Sequence, residues 1–202
     1  MRIVIGYPSL DDPRGFVQVG QNRQSKIFSV GEEAAIFPCV MAWAATLLKQ
    51  DGHEVIWQDG PAEGLTWLEQ RARLRQLRPD LILWEAKTPS IKRTWTCVKH
   101  LKEWLPSTKI VLCGDHVTAL PDESVEACGA TIITGGDYDF GIDHWIRAGM
   151  AGGIHHEPTT NQLDTLPVID RTLCRWKDYS RMGNYLRRPG THGYSARDCW
   201  WR

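Results

Sequence analysis

The hydrophobic pattern of the chain alternates between short β-type runs and longer segments with helical spacing. The runs that predict strands are Arg2–Tyr7, Glu54–Gln58, Leu81–Glu85, Lys109–Cys113 and Ala130–Thr134. The first, third and fourth are nearly continuous apolar runs, as expected for strands that are covered on both faces. Strands that alternate with helices are typical of βαβ units and a parallel sheet.

The segments between the strands carry apolar residues at helical spacing, and proline or glycine marks their ends. Pro38 stands where the first helical residue belongs, and Gly52 ends that helix. Further helices are predicted between Leu65 and Leu77, between Ile91 and Leu105, after Pro121, and from Asp137 to Gly149. The sequence therefore predicts an α/β fold with a doubly wound five-stranded parallel sheet, flavodoxin-like (Rossmann-like) in its order 2-1-3-4-5, with right-handed crossovers.

Two segments lie outside this alternation. Asp11–Ala35 is a long polar insertion after the first strand, and a loop of this length is usually functional or disordered. From about Gly152 the alternation stops, and the rest of the chain has the composition of a linker. We therefore assign residues 1–150 to the α/β domain and residues 151–202 to an irregular linker and the beginning of a further domain.

The composition excludes several classes of function. Lys and Arg together number 24, as do Asp and Glu, so there is no basic excess for nucleic acid. The arginines between Arg71 and Arg78 are interpreted as a solvated helix face. No apolar run is long enough to span a bilayer, and the amino terminus does not resemble a signal peptide. The six cysteines form no CxxC pair, which together with these features predicts a cytoplasmic protein.

Candidate chemistry lies in the loops that follow the strands, because ligands of open α/β sheets bind beyond the carboxyl ends of the strands. These loops are Gly6–Ser9, Lys87–Ser90, Gly114–Thr118 and Gly135–Asp139. Their glycines allow close approach of the backbone to a ligand, and their hydroxyl groups supply hydrogen bonds. Each loop alone is explained as a turn and helix cap, but four on one edge favour a ligand site. His116 is the histidine best placed for a role.

Other kinds of site are not supported by the sequence. His155 and His156 are interpreted as a solvated pair because no third metal ligand is evident, and Asp137 and Asp139 as caps or solvated acids. No P-loop, dinucleotide fingerprint or nucleophile elbow occurs. A phosphoacceptor receiver would require an aspartate at the end of the central strand, where Glu85 stands instead.

The order of these features resembles the cobalamin-binding domain that precedes the radical S-adenosylmethionine (SAM) domain in B12-dependent radical SAM proteins. The matching segments cover nearly the whole chain. They are Phe37-Pro38, Ala44–Lys49, Gly52–Val55, Pro79–Ile82, Val111–Pro121, Thr134–Asp137, Leu166–Asp170 and Arg197–Arg202.

The resemblance implies a corrinoid across the carboxyl edge of the sheet, with its nucleotide tail among the loops. By position, the cofactor contacts would come from Tyr7, Pro8, Thr88, Ser90, Gly114, Asp115, His116, Thr118, Gly135 and Gly136. The D-x-H-x-x-G sequence, whose histidine ligates cobalt in some relatives, is missing after the first strand. The resemblance then implies base-off binding without a protein histidine ligand, and an insertion that covers the corrinoid or meets the catalytic domain.

The resemblance also implies a radical SAM domain in cis, with a [4Fe–4S] cluster on C-x-x-x-C-x-x-C and S-adenosylmethionine as cosubstrate. Cys199 stands where the first cluster cysteine would lie, and the chain given ends at Arg202. The expected function is a cobalamin-binding module, inactive alone, of a methyltransferase-like enzyme.

Two alternatives stay open at this stage. The domain could be a degenerate sensor or interaction module that keeps the fold and binds no corrinoid. A small-molecule transferase on the same architecture would require a catalytic constellation that the sequence does not offer.

Overall fold

The computed structural model describes residues 1–9, 11–12, 15–18, 26–28, 37–158, 162–180 and 193, with the backbone course alone for 11–12, 15–18 and 26–28. The strands are β1 (Arg2–Tyr7), β2 (Asp11–Asp12), β3 (Gly15–Gln18), β4 (Lys26–Phe28), β5 (Glu54–Asp59), β6 (Leu81–Glu85), β7 (Lys109–Cys113), β8 (Thr131–Thr134) and β9 (Ile154–His156). The helices are α1 (Cys39–Gln50), α2 (Gly60–Glu63), α3 (Trp67–Leu77), α4 (Ile91–Trp104), α5 (Asp115–Ala119), α6 (Pro121–Cys128), α7 (Tyr138–Arg147) and α8 (Trp176–Ser180). Short 3-10 turns lie at Thr88–Ser90 and Leu163–Thr165.

The main sheet is parallel throughout, in the order β5-β1-β6-β7-β8-β9. The α/β class, the parallel sheet and the five predicted strands are confirmed, and the order of those five is the predicted one. The predicted count of five is wrong, because β9 adds a sixth strand beside β8. Its sequence Ile154-His155-His156 lacks an apolar run and lies at an exposed edge, so its hydrophobicity gives no signal.

The sheet is covered on both faces, which explains its apolar strands. Alternate side chains of the central strands enter two separate cores. One core lies under α1 and α7 and includes Ile5, Leu83 and Val111. The other lies under α3, α4 and α6 and includes residues such as Ile82 and Leu112. At about 25 cal/mol per Å² of buried apolar surface, these cores are the main source of stability.

One crossover has the opposite hand from the others. Helices α4 and α6 carry the chain along the sheet from β6 to β7 to β8 on one face. Helix α7 carries it one strand further in the same direction, to β9, but lies on the other face beside α1. Buried Ile142 and Trp145 hold α7 there. The right-handed crossovers predicted for the five strands do not extend to the additional connection β8-α7-β9, although almost all such connections are right-handed.

Helix α3 is fixed at both ends by local interactions rather than by an apolar stripe. Thr66 and Glu69 form a capping box at its start, and Arg78 ends it in the left-handed region with φ of 46°. Gln70 and Leu74 are its buried residues. Leu68, although apolar, is 62% exposed.

The insertion after β1 contains regular structure. Strands β2, β3 and β4 form a separate antiparallel sheet in the order β2-β3-β4. Among the described residues, the insertion therefore includes a small sheet and is not only a loop.

The segment 166–179 returns across the domain and packs on its core. The indole of Trp43 in α1 donates to the carbonyl of Pro167 at 3.0 Å. Cys174 and Tyr179 are buried in the same core as α1. The hydroxyl of Tyr179 donates to Asp59 at 2.6 Å, at the carboxyl end of β5. The predicted boundary at residue 150 stays a prediction, but these contacts fix the segment against the domain.

The Asp59–Tyr179 contact predicts a pH-dependent stability. Burial raises the pKa of Asp59 from 3.8 to about 6, although the Tyr179 hydrogen bond opposes the change. Since the folded-state pKa lies above the unfolded value, the stabilising contribution is complete below about pH 4 and is lost as the pH rises through about 6. This pH-dependent contribution to the free energy of unfolding is on the order of 3 kcal/mol.

The measurement is urea denaturation of wild type and Asp59→Asn between pH 4 and 7. The free energy of unfolding of wild type, relative to the variant, should fall across this range. A difference that stays constant from pH 4 to pH 7 contradicts the assignment.

Within the described residues, no helix is both long and apolar enough to cross a membrane. Cys39, Cys97, Cys113, Cys128 and Cys174 are buried and none of these five forms a disulfide.

Candidate functional site

A cleft of about 410 Å³ lies at the carboxyl ends of β6, β7 and β8. Three of the four loops selected from the sequence form its walls. It is lined by Lys87, Thr88, Pro89, Asp115, Thr118, Ala119, Gly135 and Gly136. The cleft is one strand away from the point where the strand order reverses, which lies between β1 and β6.

Five of the ten predicted cofactor contacts line this cleft, and five do not. The lining residues are Thr88, Asp115, Thr118, Gly135 and Gly136. The other five are buried and are not among its lining residues: Tyr7, Pro8, Ser90, Gly114 and His116. The loops after β6, β7 and β8 therefore converge as predicted, and the loop after β1 does not join them.

The loop after β1 is held away from the cleft by α3. The side-chain amide of Gln70 donates to the carbonyl of Tyr7 at 2.9 Å, and its oxygen accepts from the backbone N–H of Ser9. The Ser9 hydroxyl donates to the carbonyl of Leu65. Pro8 and Ser9 are consequently buried in this contact.

Two further predicted contacts, Ser90 and Gly114, are buried near the strand ends and do not line the cleft. The hydroxyl of Ser90 donates to the carbonyl of Lys87 at 3.2 Å within the 3-10 turn. Gly114 has φ of 102°, and a Cβ there would lie 2.7 Å from Cγ of Glu85. Glycine is required at this position because both the backbone angle and the space exclude a side chain.

A buried ion pair lies under the cleft. Nζ of Lys87 is 2.7 Å from Oε1 of Glu85 and 2.9 Å from Oδ2 of Asp115. The other oxygen of Glu85 accepts the hydroxyl hydrogen of Tyr7. Burial by itself lowers the pKa of Lys87, but the two carboxylates outweigh it and raise the pKa above 10.5. Lys87 is therefore a permanent cation, and the Asp115 carboxylate is 55% exposed at the cleft.

Two neutral groups surround this ion pair. Burial, followed by the charge of Glu85, raises the pKa of Tyr138 and of Cys113 well above their ordinary values. The Tyr138 hydroxyl is buried without a hydrogen-bond partner in the described part of the chain. Neither group is ionised near neutral pH, so neither is a nucleophile there.

His116 lies behind the wall of the cleft and contacts Thr88. Its Nδ1 is 3.1 Å from Oγ1 of Thr88, and its Nε2 is 3.6 Å from a carboxylate oxygen of Glu123. Its ring packs edge to face with that of Trp95, with 5.7 Å between the ring centres. Burial lowers the pKa of His116 below 6.5, although Glu123 opposes this. His116 therefore reaches the cleft only through the Thr88 hydroxyl.

The two glycines after β8 differ in the space around them. The backbone N–H of Gly135 donates to Oγ1 of Thr118 at 3.0 Å. A Cβ on Gly135 would lie 2.2 Å from the carbonyl oxygen of Glu157, and φ there is 109°. A Cβ on Gly136 would meet no atom within 4 Å. Gly136 is therefore the place where a side chain can be added into the cleft.

Metal-binding clusters are absent from the residues that the structure describes. His155 and His156 have separate partners, since His156 contacts Thr134 at 2.9 Å and His155 contacts the carbonyl of Ala151 at 2.9 Å. Cys199, the predicted first cluster cysteine, lies outside the described residues.

A second concavity of about 830 Å³ lies between α3 and the end of α4. Its lining includes Arg71, Arg75, Arg78 and Trp104, and no acidic side chain. The guanidinium of Arg71 lies 3.5 Å from the centre of the Trp104 ring. Three of the four arginines interpreted as a solvated face thus line a basic groove, here called the arginine groove, while Arg73 pairs with Glu63.

Lys87 and Glu85 were not among the site residues predicted from the sequence. Their signal is an acid and a lysine that flank Ala86 directly after an apolar strand. Gln70 carries a weaker signal, a polar residue on the inner face of a helix.

The chain was also compared with known proteins. No protein-family model, no curated protein and no solved structure matches it.

Proposed function

We propose that this domain binds a corrinoid, cobalamin, in the cleft formed by the loops after β6, β7 and β8. The observation that carries the proposal is the convergence of three predicted loops on one cleft that is lined by small and hydroxyl-bearing residues. A parallel sheet places ligands beyond the carboxyl ends of its strands, as the cleft requires.

The lining residues suit an uncharged, amide-rich ligand. Thr88, Thr118 and the exposed carboxylate of Asp115 offer hydrogen bonds, and Gly136 leaves room for a flat group. The volume of about 410 Å³ suits one edge or the nucleotide tail of a corrinoid rather than the whole molecule. Bound there, cobalamin would supply a cobalt centre for methyl transfer, and the residues lining the cleft would hold and orient it.

None of the histidines that the structure describes lines the cleft, so these residues do not favour ligation of cobalt there. His116 is engaged with Thr88 and does not line the cleft. This supports base-off binding without a protein histidine ligand. The sequence resemblance supports a radical SAM domain as the partner in cis, with its iron–sulfur cluster and S-adenosylmethionine as that domain's own groups.

A second candidate is an interaction module that binds no corrinoid, and the arginine groove favours it. This groove is larger than the cleft and carries three arginines without an acidic residue in its lining. Its charge suits an acidic segment of another protein. Stacking of Arg71 on Trp104 covers one ring face that a nucleic-acid base would otherwise use.

The two candidates predict different thermal melts. With hydroxocobalamin at about 100 times its dissociation constant, the corrinoid proposal expects the melting temperature to rise by about 5–10 °C. Gly136→Trp should abolish this rise because the indole fills the cleft, while the melting temperature without ligand stays close to wild type.

The matched control is Gly152→Trp, because Gly152 also has open space around it and does not line the cleft. It should keep the full rise. Equal melting temperatures with and without hydroxocobalamin in wild type favour the interaction module instead.

A further inference from the structure

We propose that His116 is a positioning residue that makes the Thr88 hydroxyl an obligate hydrogen-bond acceptor toward the cleft, so that the site selects a ligand group that donates, such as a primary amide. The inference rests on the proposed corrinoid function and deepens it. The sequence predicted that His116 contacts the cofactor directly. In this inference His116 acts on the ligand only through its hydrogen bond with Thr88.

The first step is the proton on the imidazole. The Glu123 carboxylate lies 3.6 Å from Nε2, too far for a hydrogen bond but close enough for a strong electrostatic effect. A lone pair on Nε2 would face this negative charge and be repelled, whereas an N–H would be attracted. Among the described residues Nε2 has no hydrogen-bond partner that would favour the reverse arrangement. The neutral ring therefore carries its proton on Nε2.

The second step is the Thr88 hydroxyl. With the proton on Nε2, Nδ1 presents a lone pair to Oγ1 of Thr88 at 3.1 Å. Thr88 must then donate its only hydroxyl hydrogen to Nδ1, since a neutral imidazole has one donor and one acceptor. Only the lone pairs of Oγ1 are left to face the cleft. Burial lowers the pKa of His116, which keeps the ring in this neutral form near neutral pH.

The third step is the ligand. An acceptor-only hydroxyl pairs with an N–H or O–H group and repels a carboxylate or phosphate oxygen. The exposed carboxylate of Asp115 adds a second acceptor to the same cleft. Corrinoids carry primary amides around the ring, and these are donors of the required kind.

The test combines a spectroscopic and a binding measurement. In the apo protein, long-range ¹⁵N–¹H NMR of the histidines should show His116 with a protonated Nε2 and a pyridine-like Nδ1. Glu123→Gln should mix the two tautomers, because it removes the charge that holds the proton on Nε2. A wild-type ring protonated at Nδ1 overturns the proposal, whether or not any corrinoid binds.

The binding measurement compares hydroxocobalamin with its b-, d- and e-monocarboxylic acids, in each of which one amide is replaced by a carboxylate. Wild type should bind at least one acid about tenfold more weakly than the parent amide. Thr88→Val should weaken binding of the parent and remove that acid's penalty. Thr118→Val, the matched neighbour in the cleft, should leave the penalty in place.

Two outcomes separate the inference from the proposed function. Equal affinities for the amide and all three acids in wild type overturn the inference and leave corrinoid binding intact. Absence of binding to all four compounds overturns the proposed function, and the NMR tautomer then decides whether His116 positions Thr88.

Discussion

Lys87→Met should lower the free energy of unfolding by about 3–5 kcal/mol near pH 7. The substitution keeps the length of the side chain and removes its charge. Glu85, which is 3% exposed, would then be a buried carboxylate whose cation is gone. The hydroxyl of Tyr7 alone cannot offset the cost of desolvating it. Guanidinium denaturation monitored by circular dichroism measures the change.

Two further variants test whether the loss of stability comes from the buried Lys87–Glu85 ion pair. Lys49→Met removes a cation from an exposed ion pair with Asp170, where Lys49 is 54% exposed, and should cost less than about 1 kcal/mol. Glu85→Gln combined with Lys87→Met should recover much of the loss, because no buried charge is left. If Lys87→Met alone lowers the free energy of unfolding by less than about 1 kcal/mol, the Lys87–Glu85 pair is solvated and the prediction is contradicted.

Gly135→Ala should destabilise the domain by roughly 2–5 kcal/mol. The added Cβ would lie 2.2 Å from a backbone carbonyl oxygen of Glu157, which cannot move without displacing the end of β9. Its φ of 109° adds backbone strain for any residue with a Cβ. Thermal unfolding measures the effect as a drop in melting temperature.

The adjacent glycine is the control. Gly136→Ala meets no atom within 4 Å, so its melting temperature should lie within about 2 °C of wild type. Equal losses at Gly135 and Gly136 would contradict the described approach of Glu157 to β8.

Much of the fold could be predicted from the sequence because the central strands are buried on both faces. Runs such as Leu81–Glu85 and Lys109–Cys113 are nearly continuous in apolar residues, and their bounds agree with β6 and β7. Strand β9 could not be predicted, since a three-residue edge strand needs no apolar side chains. The hand of the β8-α7-β9 crossover follows from packing of α7 on α1, which is a tertiary contact.

The site was predictable where it depends on strand order and not where it depends on side-chain pairing. Strand-end loops that contain Thr88, Asp115 and Gly136 meet because neighbouring parallel strands end at one edge. The contact of Gln70 with Tyr7, which draws the first loop away, joins residues that are 63 positions apart and has no local pattern. The position of His116 behind Thr88 is likewise set by the packing of α5.

The substitution Gly114→Trp would also add a bulky side chain at the strand ends, but it is a poor test of binding. The Cβ alone would lie 2.7 Å from Glu85 and 3.1 Å from the carbonyl oxygen of Ala86. The variant would lose stability before it could report on a ligand. Gly136, which faces open space, separates occupancy of the cleft from folding.

The central claim is that a corrinoid occupies the cleft between the loops after β6, β7 and β8. The most direct measurement is gel filtration of the purified protein with hydroxocobalamin, followed by absorbance of the protein peak. We predict about one corrinoid per chain with a shifted absorption spectrum in wild type and in Gly152→Trp, and none in Gly136→Trp. Retention of the corrinoid by Gly136→Trp, or its absence from the wild-type peak at micromolar concentrations, would contradict the account.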